Sequence, residues 1–393
     1  MQPQTGMKLD QKEFDVLKRT IRNMAVSRRE RKKNSEFATY LPESVGLKLT
    51  NRCNLRCKHC FQWNESGYHR FMDHDCQSLD MDIDLFNKIL VETQEIKSRL
   101  YLWGGEPLYH SDFDRIAGLL ENNPREMAMC TNATLLEEKM DAVCKISSQL
   151  ELLIGVEGFE EENDEIRGKG TFSKAMKGIE SLKRLRKQGL FKGKISVHTV
   201  VNDKMSGKLY SLMEYFEEMG IDMVMICFPW YISEECSENM DCFFSEKFEW
   251  LNKLDLNEKR SWNAFKYKLD PGNIGPLMKE LEKINEKVWR NRIRYQPDLE
   301  FDEIEDFVMG RDISRSKTRK CLAISNRMDV DPDGTVSACK FFSEFKIGNI
   351  KDSSVYDLWN CESFKKVRSL VNAGLMPVCS KCSALYLHGL HEV

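Results

Sequence analysis

The chain has 393 residues, of which 41% are hydrophobic and 31% are charged, and its formal net charge is −3. This near balance of charge gives no electrostatic reason to expect nucleic acid or a membrane surface as a partner. The N-terminal stretch lacks an apolar core of signal-peptide length, and no run of about 18 apolar residues follows it, so the sequence predicts a cytoplasmic protein.

Residues 10–34 predict a helix that becomes basic toward its end, within an N-terminal helical arm that covers residues 1–44. A solvated helix face is the simplest interpretation of such a charge run. Contact with an acidic substrate or partner is the alternative.

From residue 45 the pattern changes to strands that alternate with amphipathic helices, which predicts right-handed βαβ units and a parallel sheet. A complete barrel needs eight such units, and six are visible. We therefore predict an α/β protein whose residues 45–240 form a partial (β/α)6 TIM-type barrel. The predicted strands are residues 45–50, 99–103, 126–130, 150–156, 194–201 and 222–228.

Two further regions follow the barrel. Residues 241–320 are rich in charged and aromatic residues and predict a helical bridging region that helps to shape the substrate pocket. Residues 321–393 contain cysteines and short strand and turn signals, which predict a smaller α+β domain around a metal cluster.

The 14 cysteines of the chain outnumber its seven histidines. Thiols stay reduced in the cytoplasm, so clustered cysteines there indicate metal binding or redox chemistry rather than disulfides. Soft thiolate ligands favour zinc or iron–sulfur clusters.

Three of these cysteines, Cys53, Cys57 and Cys60, lie directly after the first predicted strand. This position is the catalytic rim of a parallel α/β barrel. A cubane cluster of four irons needs four ligands, so three thiolates leave one iron free to bind the amino and carboxylate groups of an α-amino acid. A zinc loop or a chance spacing is the alternative.

This spacing after a first strand resembles the signature of the radical SAM superfamily, with His59 at the position that usually holds an aromatic residue. The resemblance implies that Cys53, Cys57 and Cys60 bind a [4Fe–4S] cluster and that S-adenosylmethionine (SAM) occupies the open iron. In that role these three cysteines are the catalytic residues.

The second predicted strand ends in Gly104, Gly105, Glu106 and Pro107. Paired glycines allow a close approach to the backbone, and a carboxylate accepts hydrogen bonds from an ammonium group. In the resembled family this motif holds the amino group of SAM. After the third strand, Thr131 and Asn132 match the family's Thr-Asn-Gly, with alanine in place of the glycine.

Later strand ends resemble the family less closely. Gly155 stands where a serine often contacts SAM, and Glu157 replaces the usual aspartate. Arg167 is predicted to pair with the SAM carboxylate, with a surface salt bridge as the alternative. Asn202 and Trp230 are predicted to flank the ribose and adenine, and packing is an equal alternative for Trp230.

A second set of cysteines, Cys321, Cys339, Cys379 and Cys382, resembles the extension of the SPASM and twitch families. The resemblance implies one auxiliary [4Fe–4S] cluster bound by these four residues. A structural zinc site is the alternative, because two separated cysteines and a CxxC also make a tetrahedral set. Cys361 is predicted to be a free thiol.

The resemblance implies an oxidoreductase-type radical SAM enzyme. Such an enzyme cleaves SAM to a 5′-deoxyadenosyl radical, which takes hydrogen from an unactivated substrate carbon. A donor such as flavodoxin or ferredoxin would supply the electron. We predict a small polar, sugar- or cyclitol-like metabolite as substrate, with maturation of a ribosomally made peptide as the alternative. A non-catalytic iron–sulfur or zinc protein is the alternative of another class, and the intact GGEP argues against it.

Overall fold

The computed structural model describes residues 2–254, 259–311, 313 and 320–388. Parts of the predicted bridging region and the last five residues of the predicted cluster domain lie outside this set. The strands are β1 (Gln4–Thr5), β2 (Ser44–Thr50), β3 (Arg99–Gly104), β4 (Met127–Thr131), β5 (Leu150–Gly155), β6 (Lys194–Val200), β7 (Met223–Cys227), β8 (Val288–Trp289), β9 (Arg292–Gln296), β10 (Arg327–Val330), β11 (Thr335–Ser337) and β12 (Lys346–Asn349).

Helices cover much of the remaining chain, and within the described residues none is both long and apolar enough to span a bilayer. They are α1 (Gln11–Lys33), α2 (His74–Gln77), α3 (Ile83–Glu92), α4 (Phe113–Asn122), α5 (Met140–Ile146), α6 (Glu160–Arg167), α7 (Thr171–Lys187), α8 (Leu209–Glu218), α9 (Glu234–Lys247), α10 (Ile274–Glu286), α11 (Ile304–Val308), α12 (Ala323–Asn326), α13 (Val355–Asn360), α14 (Glu362–Ala373) and α15 (Ser383–His388).

The main sheet has the strand order β12-β11-β10-β2-β3-β4-β5-β6-β7-β9. Neighbours from β10 to β9 are parallel, and β11 and β12 form an antiparallel edge next to β10. Strands β2 to β7 are the six that the sequence predicts, so the mixed α/β class with a parallel sheet is confirmed.

Beyond the six predicted strands, one further parallel strand joins the sheet on each side, β9 next to β7 and β10 next to β2. The bridging region was predicted to be helical, but it also contains β9, which pairs with β7. In β9, RIRYQ, only Ile293 and Tyr295 are apolar, so the strand lacks a hydrophobic run. On the other side, β10 of the cysteine-rich region pairs directly with β2, and no break in the sheet separates the two regions.

The parallel strands have one apolar face and one face that mixes polar and apolar residues. On β2, Val45, Leu47 and Leu49 are fully buried against the helices. The alternate residues of each strand lie on the opposite, concave face, because side chains alternate along a strand. We call this face the barrel interior; it carries Lys48, Tyr101, Trp103, Cys130, His198, Cys227, Arg327 and Asp329. Such a polar lining suits a bound molecule better than a packed hydrophobic core.

Helix α1 crosses the amino ends of the strands, opposite the catalytic rim. Lys12 Nζ donates to Ser148 O at 3.0 Å, just before β5, and Arg19 pairs with Glu126, just before β4, at 3.1 Å. Glu13 pairs with Lys194 at the start of β6. The predicted basic helix is therefore present and is packed on the barrel along part of its length.

Candidate functional site

The loop after β2 holds the first three cysteines. Cys57 is buried, and Cys53 and Cys60 are partly exposed. The Cys60 amide donates to Cys57 O at 3.1 Å, and the Lys58 amide donates to Ile166 O of α6 at 3.0 Å. The loop is therefore fixed both by its own turn and by the helix that follows β5.

The electrostatics of these thiols suit a metal cluster. Burial raises the pKa of all three, that of Cys57 to about 12, and their mutual interaction raises those of Cys53 and Cys57 further. Metal ligands are thiolates, so a positive metal centre would offset this cost. Within the described residues, no group of three or more Cys, His, Asp or Glu side chains is close enough to hold a single metal ion.

The glycines at the end of β3 allow a close approach of two backbone segments. The Gly105 amide donates to Thr50 O, and the Glu106 amide donates to Arg52 O, both at 2.8 Å. A Cβ atom on Gly105 would overlap Arg52 O, and one on Gly104, whose φ is +149°, would overlap Thr50 O. The sequence predicted that a ligand approaches the backbone of these glycines. In the structure the end of β2 and the start of the cysteine loop lie against them instead.

Glu106 connects the two motifs predicted to bind SAM. It is 1% exposed, and its Oε1 accepts from Thr131 Oγ1 at 2.6 Å while its Oε2 accepts from the Asn132 amide at 2.7 Å. Pro107 begins a short 3-10 turn whose Leu108 amide also donates to Glu106 Oε1, at 3.1 Å. Burial raises the pKa of Glu106 despite these bonds. A ligand ammonium group would stabilise this carboxylate, so the site fits the amino group of SAM.

The turn after β4 explains the departure from the Thr-Asn-Gly pattern. Ala133 has a φ of +59°, in the left-handed region that favours glycine. Next to it, Asn132 Nδ2 donates to Asn54 Oδ1 of the cysteine loop at 2.9 Å. The turn is therefore positioned by contacts with the loop, and alanine occupies a position whose backbone suits glycine better.

Arg167 lies in a buried ion pair, not in a surface salt bridge. Its Nε and Nη2 donate to Glu157, the latter at 3.0 Å, and Glu157 is fully buried. His59 Nε2 lies 3.0 Å from the same carboxylate. Although burial opposes ionisation, Arg167 and His59 hold the pKa of Glu157 well below its usual range. The predicted contact between Arg167 and the SAM carboxylate stays a prediction.

The ion pair of Arg167 with Glu157 explains why Gly155 and Glu157 depart from the family pattern. A Cβ atom on Gly155 would overlap the Arg167 guanidinium, so glycine makes room for Arg167 where a serine would collide with it. Asn202 supports the next turn, because its Nδ2 donates to Glu157 O at 2.7 Å and its Oδ1 accepts from the Met205 amide at 3.3 Å. Gly155, Glu157 and Arg167 therefore form one structural unit.

Trp230 packs into an aromatic cluster. Its ring centroid lies 4.3 Å from that of Phe265 and 4.4 Å from that of Phe341. These contacts favour the packing alternative for Trp230 over a place beside adenine.

The four later cysteines line one cavity, although they come from different parts of the chain. Cys321 precedes α12, Cys339 follows β11, and Cys379 and Cys382 lie in the turn before α15. Cys361 is not among the residues that line this cavity. Burial raises the pKa of all four thiols. The donor set and the enclosed space fit an iron–sulfur cluster.

Lys340 joins this cavity to the barrel interior and was missed by the sequence analysis. It lines the cavity and interacts electrostatically with Cys382. Its Nζ lies 4.1 Å from the ring centroid of Tyr101 and 5.0 Å from that of Trp103. Burial lowers the pKa of Lys340 to about 8. The sequence signal that could have identified Lys340 is its position directly after Cys339, a predicted cluster ligand.

Lys48 is a second interior cation that the sequence analysis missed, since it falls within a predicted strand. Its Nζ lies 2.9 Å from His69 Nε2 and 3.6 Å from Asp331 Oδ1. Lys48 thus connects β2, the segment after the cysteine loop and the cysteine-rich region.

Two family models match the sequence. The radical SAM superfamily matches residues 47–213, and SPASM, an iron–sulfur cluster-binding domain, matches residues 321–383. The chain therefore carries a radical SAM domain followed by a SPASM domain. The predictions of a radical SAM enzyme, of a [4Fe–4S] cluster with SAM, and of auxiliary iron–sulfur binding are therefore confirmed.

Similar proteins extend over most of this radical SAM chain. The tungsten-containing aldehyde ferredoxin oxidoreductase cofactor-modifying protein of Pyrococcus furiosus is 24% identical over 86% of each chain. The subtilosin biosynthesis protein AlbA of Bacillus subtilis is 23% identical over 90% of this chain and 69% of its own. Streptococcus suis SuiB, solved with SAM, shares the fold with a TM-score of 0.55 and 16% identity over 91% of this chain and 73% of SuiB.

Proposed function

We propose that this radical SAM enzyme matures a ribosomally made peptide. The observation that carries the proposal is the similarity to the subtilosin protein, which extends over 90% of the chain. The fold relative SuiB has been solved in complex with its precursor peptide SuiA, which supports the proposal. These relatives favour the peptide alternative over the sugar-like metabolite.

We assign the first cluster to Cys53, Cys57 and Cys60, which one loop brings together beside Glu106 and Arg167. When bound, this cluster and SAM supply the 5′-deoxyadenosyl radical, and an auxiliary cluster supplies an electron acceptor. Glu106, held by Thr131 and Asn132, would bind the ammonium group of SAM. Gly104, Gly105 and Pro107 hold Glu106 in place through the backbone.

Arg167 and Asn202 would act mainly through Glu157. The buried ion pair fixes the floor beneath the cysteine loop, and Asn202 holds the backbone of Glu157. A fixed floor keeps the cofactor and the target carbon in one relative position, on which a hydrogen transfer depends.

We assign one auxiliary cluster to Cys321, Cys339, Cys379 and Cys382, because these four residues line one cavity. Lys340 lies between that cavity and the interior at Tyr101 and Trp103. A peptide side chain in the interior would therefore lie between the two cysteine sites. In this position the peptide side chain could lose a hydrogen atom to the radical formed at the first site. It could then pass an electron to the auxiliary cluster at the second site.

Anaerobic reconstitution with iron, sulfide, dithionite and SAM tests the enzyme activity. We expect release of 5′-deoxyadenosine, even without substrate, in abortive turnovers. Co-expression with short peptides encoded beside the gene then tests the substrate class. We expect a peptide that has lost two hydrogen atoms for each bond formed, or an unchanged mass with an inverted residue, as seen by mass spectrometry and chiral analysis.

The outcomes separate the two substrate classes. Unaltered peptides, together with 5′-deoxyadenosine release that a sugar alcohol or cyclitol accelerates, would contradict the peptide proposal and restore the metabolite. A matched Cys53→Ala control must abolish both 5′-deoxyadenosine release and peptide modification, because a background reaction would otherwise explain the products.

A further inference from the structure

We propose that an acidic one-electron carrier protein of the flavodoxin or ferredoxin type docks on a basic cleft beside the cysteine loop. The cleft is lined by Arg56, Trp63, Arg70 and Gln77 and is open to solvent. We call it the arginine cleft. The inference rests on the radical SAM chemistry of the chain and is independent of whether the substrate is a peptide.

Arg56 is held so that its charge stays at the surface while its backbone belongs to the cluster loop. It lies between Cys53 and Cys57 in the sequence, and its Nη1 donates to the carbonyls of Cys53 and Leu55 at 2.7 Å. Its guanidinium lies 4.1 Å from the ring centroid of Trp63, and the residue is exposed. A carrier that contacts Arg56 would therefore touch the loop that holds the first three thiols.

Trp63 forms the connection between the cleft and the loop. It is 5% exposed, its amide donates to Cys60 O at 3.2 Å, and its Nε1 donates to Asn51 O at 3.0 Å. A direct hydrogen bond of Trp63 therefore connects the cleft to Cys60, the third cysteine of the loop. A docked carrier would have a short path for the electron that the first cluster needs.

The charge of the cleft is not neutralised by the protein. Within the described part of the chain, neither Arg56 nor Arg70 forms an ion pair with a carboxylate. Beside Arg70, Phe71 is 54% exposed, and Lys259 Nζ lies 4.3 Å from its ring centroid. Arginine and exposed aromatic side chains are typical of protein interfaces. Two guanidinium groups fit carboxylates on a partner surface, and such pairs steer association at low ionic strength.

The basic surface of the arginine cleft is small, because acidic residues follow it in the sequence. Asp73 and Asp75 follow Arg70 in the sequence, and Asp73 accepts a hydrogen bond from the Cys76 amide at the start of α2. A small contact area suits an electron-transfer partner, because such encounters are weak and short-lived.

The test compares two reductants on the reconstituted holoenzyme. The double variant Arg70→Gln/Lys259→Gln, at two exposed cations outside the cysteine loop, is mixed in a stopped-flow instrument with photoreduced flavodoxin, and separately with dithionite, and cluster bleaching is followed. We expect the second-order rate with flavodoxin to fall by about tenfold or more and to lose its salt dependence. We expect the dithionite rate, the iron content and dithionite-driven SAM cleavage to stay at wild-type values.

The matched control, Arg22→Gln/Arg29→Gln on α1, removes the same charge from the helix that crosses the amino ends of the strands, and it should leave both rates unchanged. A second variant, Arg70→Glu, reverses a charge that is not part of the cysteine loop and should slow flavodoxin alone. Equal flavodoxin rates in the cleft and control variants would overturn the proposal. An equal fall with dithionite would also overturn it, because Arg70 and Lys259 would then support the fold around the cluster instead of a partner. Failure of wild-type SAM cleavage with dithionite would count against the enzyme activity itself.

Discussion

The two cysteine sites are built in opposite ways. The first takes three thiols from one loop of eight residues, at the open rim where β2 ends. The second takes four thiols from separate elements between residues 321 and 382, around an enclosed cavity. A site that must exchange its fourth ligand at every turnover needs access, whereas a site that only stores or passes an electron gains from exclusion of solvent.

This contrast predicts that the two sites fail separately when their ligands are removed. Replacement of Cys53, Cys57 and Cys60 by alanine should lower the iron content from about eight to about four atoms per chain and abolish SAM cleavage. Replacement of Cys379 and Cys382 should remove a similar amount of iron and leave abortive SAM cleavage in place. Iron analysis, Mössbauer spectra and 5′-deoxyadenosine assays check both outcomes. Loss of all iron in either variant would show that the ligand assignment is wrong.

The floor of the first site depends on a buried ion pair. Arg167→Met leaves the Glu157 carboxylate buried without its main partner, and we expect a loss of about 3 to 5 kcal/mol in the free energy of unfolding. The control Arg290→Met removes a 74% exposed partner of Glu217 and should cost about 1 kcal/mol or less. Urea denaturation checks both. A loss at Arg167 no larger than that at Arg290 would contradict the buried pair.

The same variant should reverse a pH dependence. In the wild type the pKa of Glu157 is lowered, so its contribution to stability is present above its ordinary value of 4.5 and is lost as the pH falls below it. In Arg167→Met, burial raises that pKa, so stability should fall as the pH rises from about 5 to about 8. Denaturation curves at both pH values measure the sign directly, and a loss that does not change with pH would point to a steric cause.

At the second site, the charge of Lys340 should set how easily the auxiliary cluster accepts an electron. Lys340→Met removes a positive charge beside the four thiolates. Loss of this charge disfavours the reduced form of the auxiliary cluster, because that form is more negative than the oxidised form. We expect the midpoint potential to fall by about 59 mV, a tenfold change for a one-electron couple. Lys340→Arg keeps the charge and should keep the potential. Potentiometry monitored by EPR would show the same value in Lys340→Met and the wild type if the lysine acts only through packing.

The smallest expected effect concerns the turn beside the first site. Ala133→Gly relieves a left-handed alanine and should raise the free energy of unfolding by about 1 kcal/mol. Lys97, which is exposed and has a φ of +49°, offers a matched control outside the site, and Lys97→Gly should give a similar gain. Thermal denaturation checks both, and a loss of stability at position 133 alone would mean that the alanine methyl group packs usefully.

The sequence was sufficient where chemistry depends on local spacing. Cys53, Cys57 and Cys60 could be recognised because one loop carries them, and Thr131 and Asn132 because they follow a strand. Other features depend on contacts between distant parts of the chain. The ion pair of Arg167 with Glu157, and the space left by Gly155, could not be read from their spacing. The strand β9 was missed because Arg292, Arg294 and Gln296 alternate with its two apolar residues, whereas a continuous hydrophobic run was expected of a strand in a parallel sheet.

The pairing of β10 with β2 has a consequence for how the protein unfolds. Four residues of β10, Arg327 to Val330, are in register with residues 44 to 47 of β2, the strand from which the cysteine loop begins. Within the described residues, one continuous sheet therefore connects the two cysteine sites, and we expect the regions around them to unfold together. Heating should therefore disrupt both cysteine sites in one transition, whereas removal of the ligands of one site should leave the other site folded.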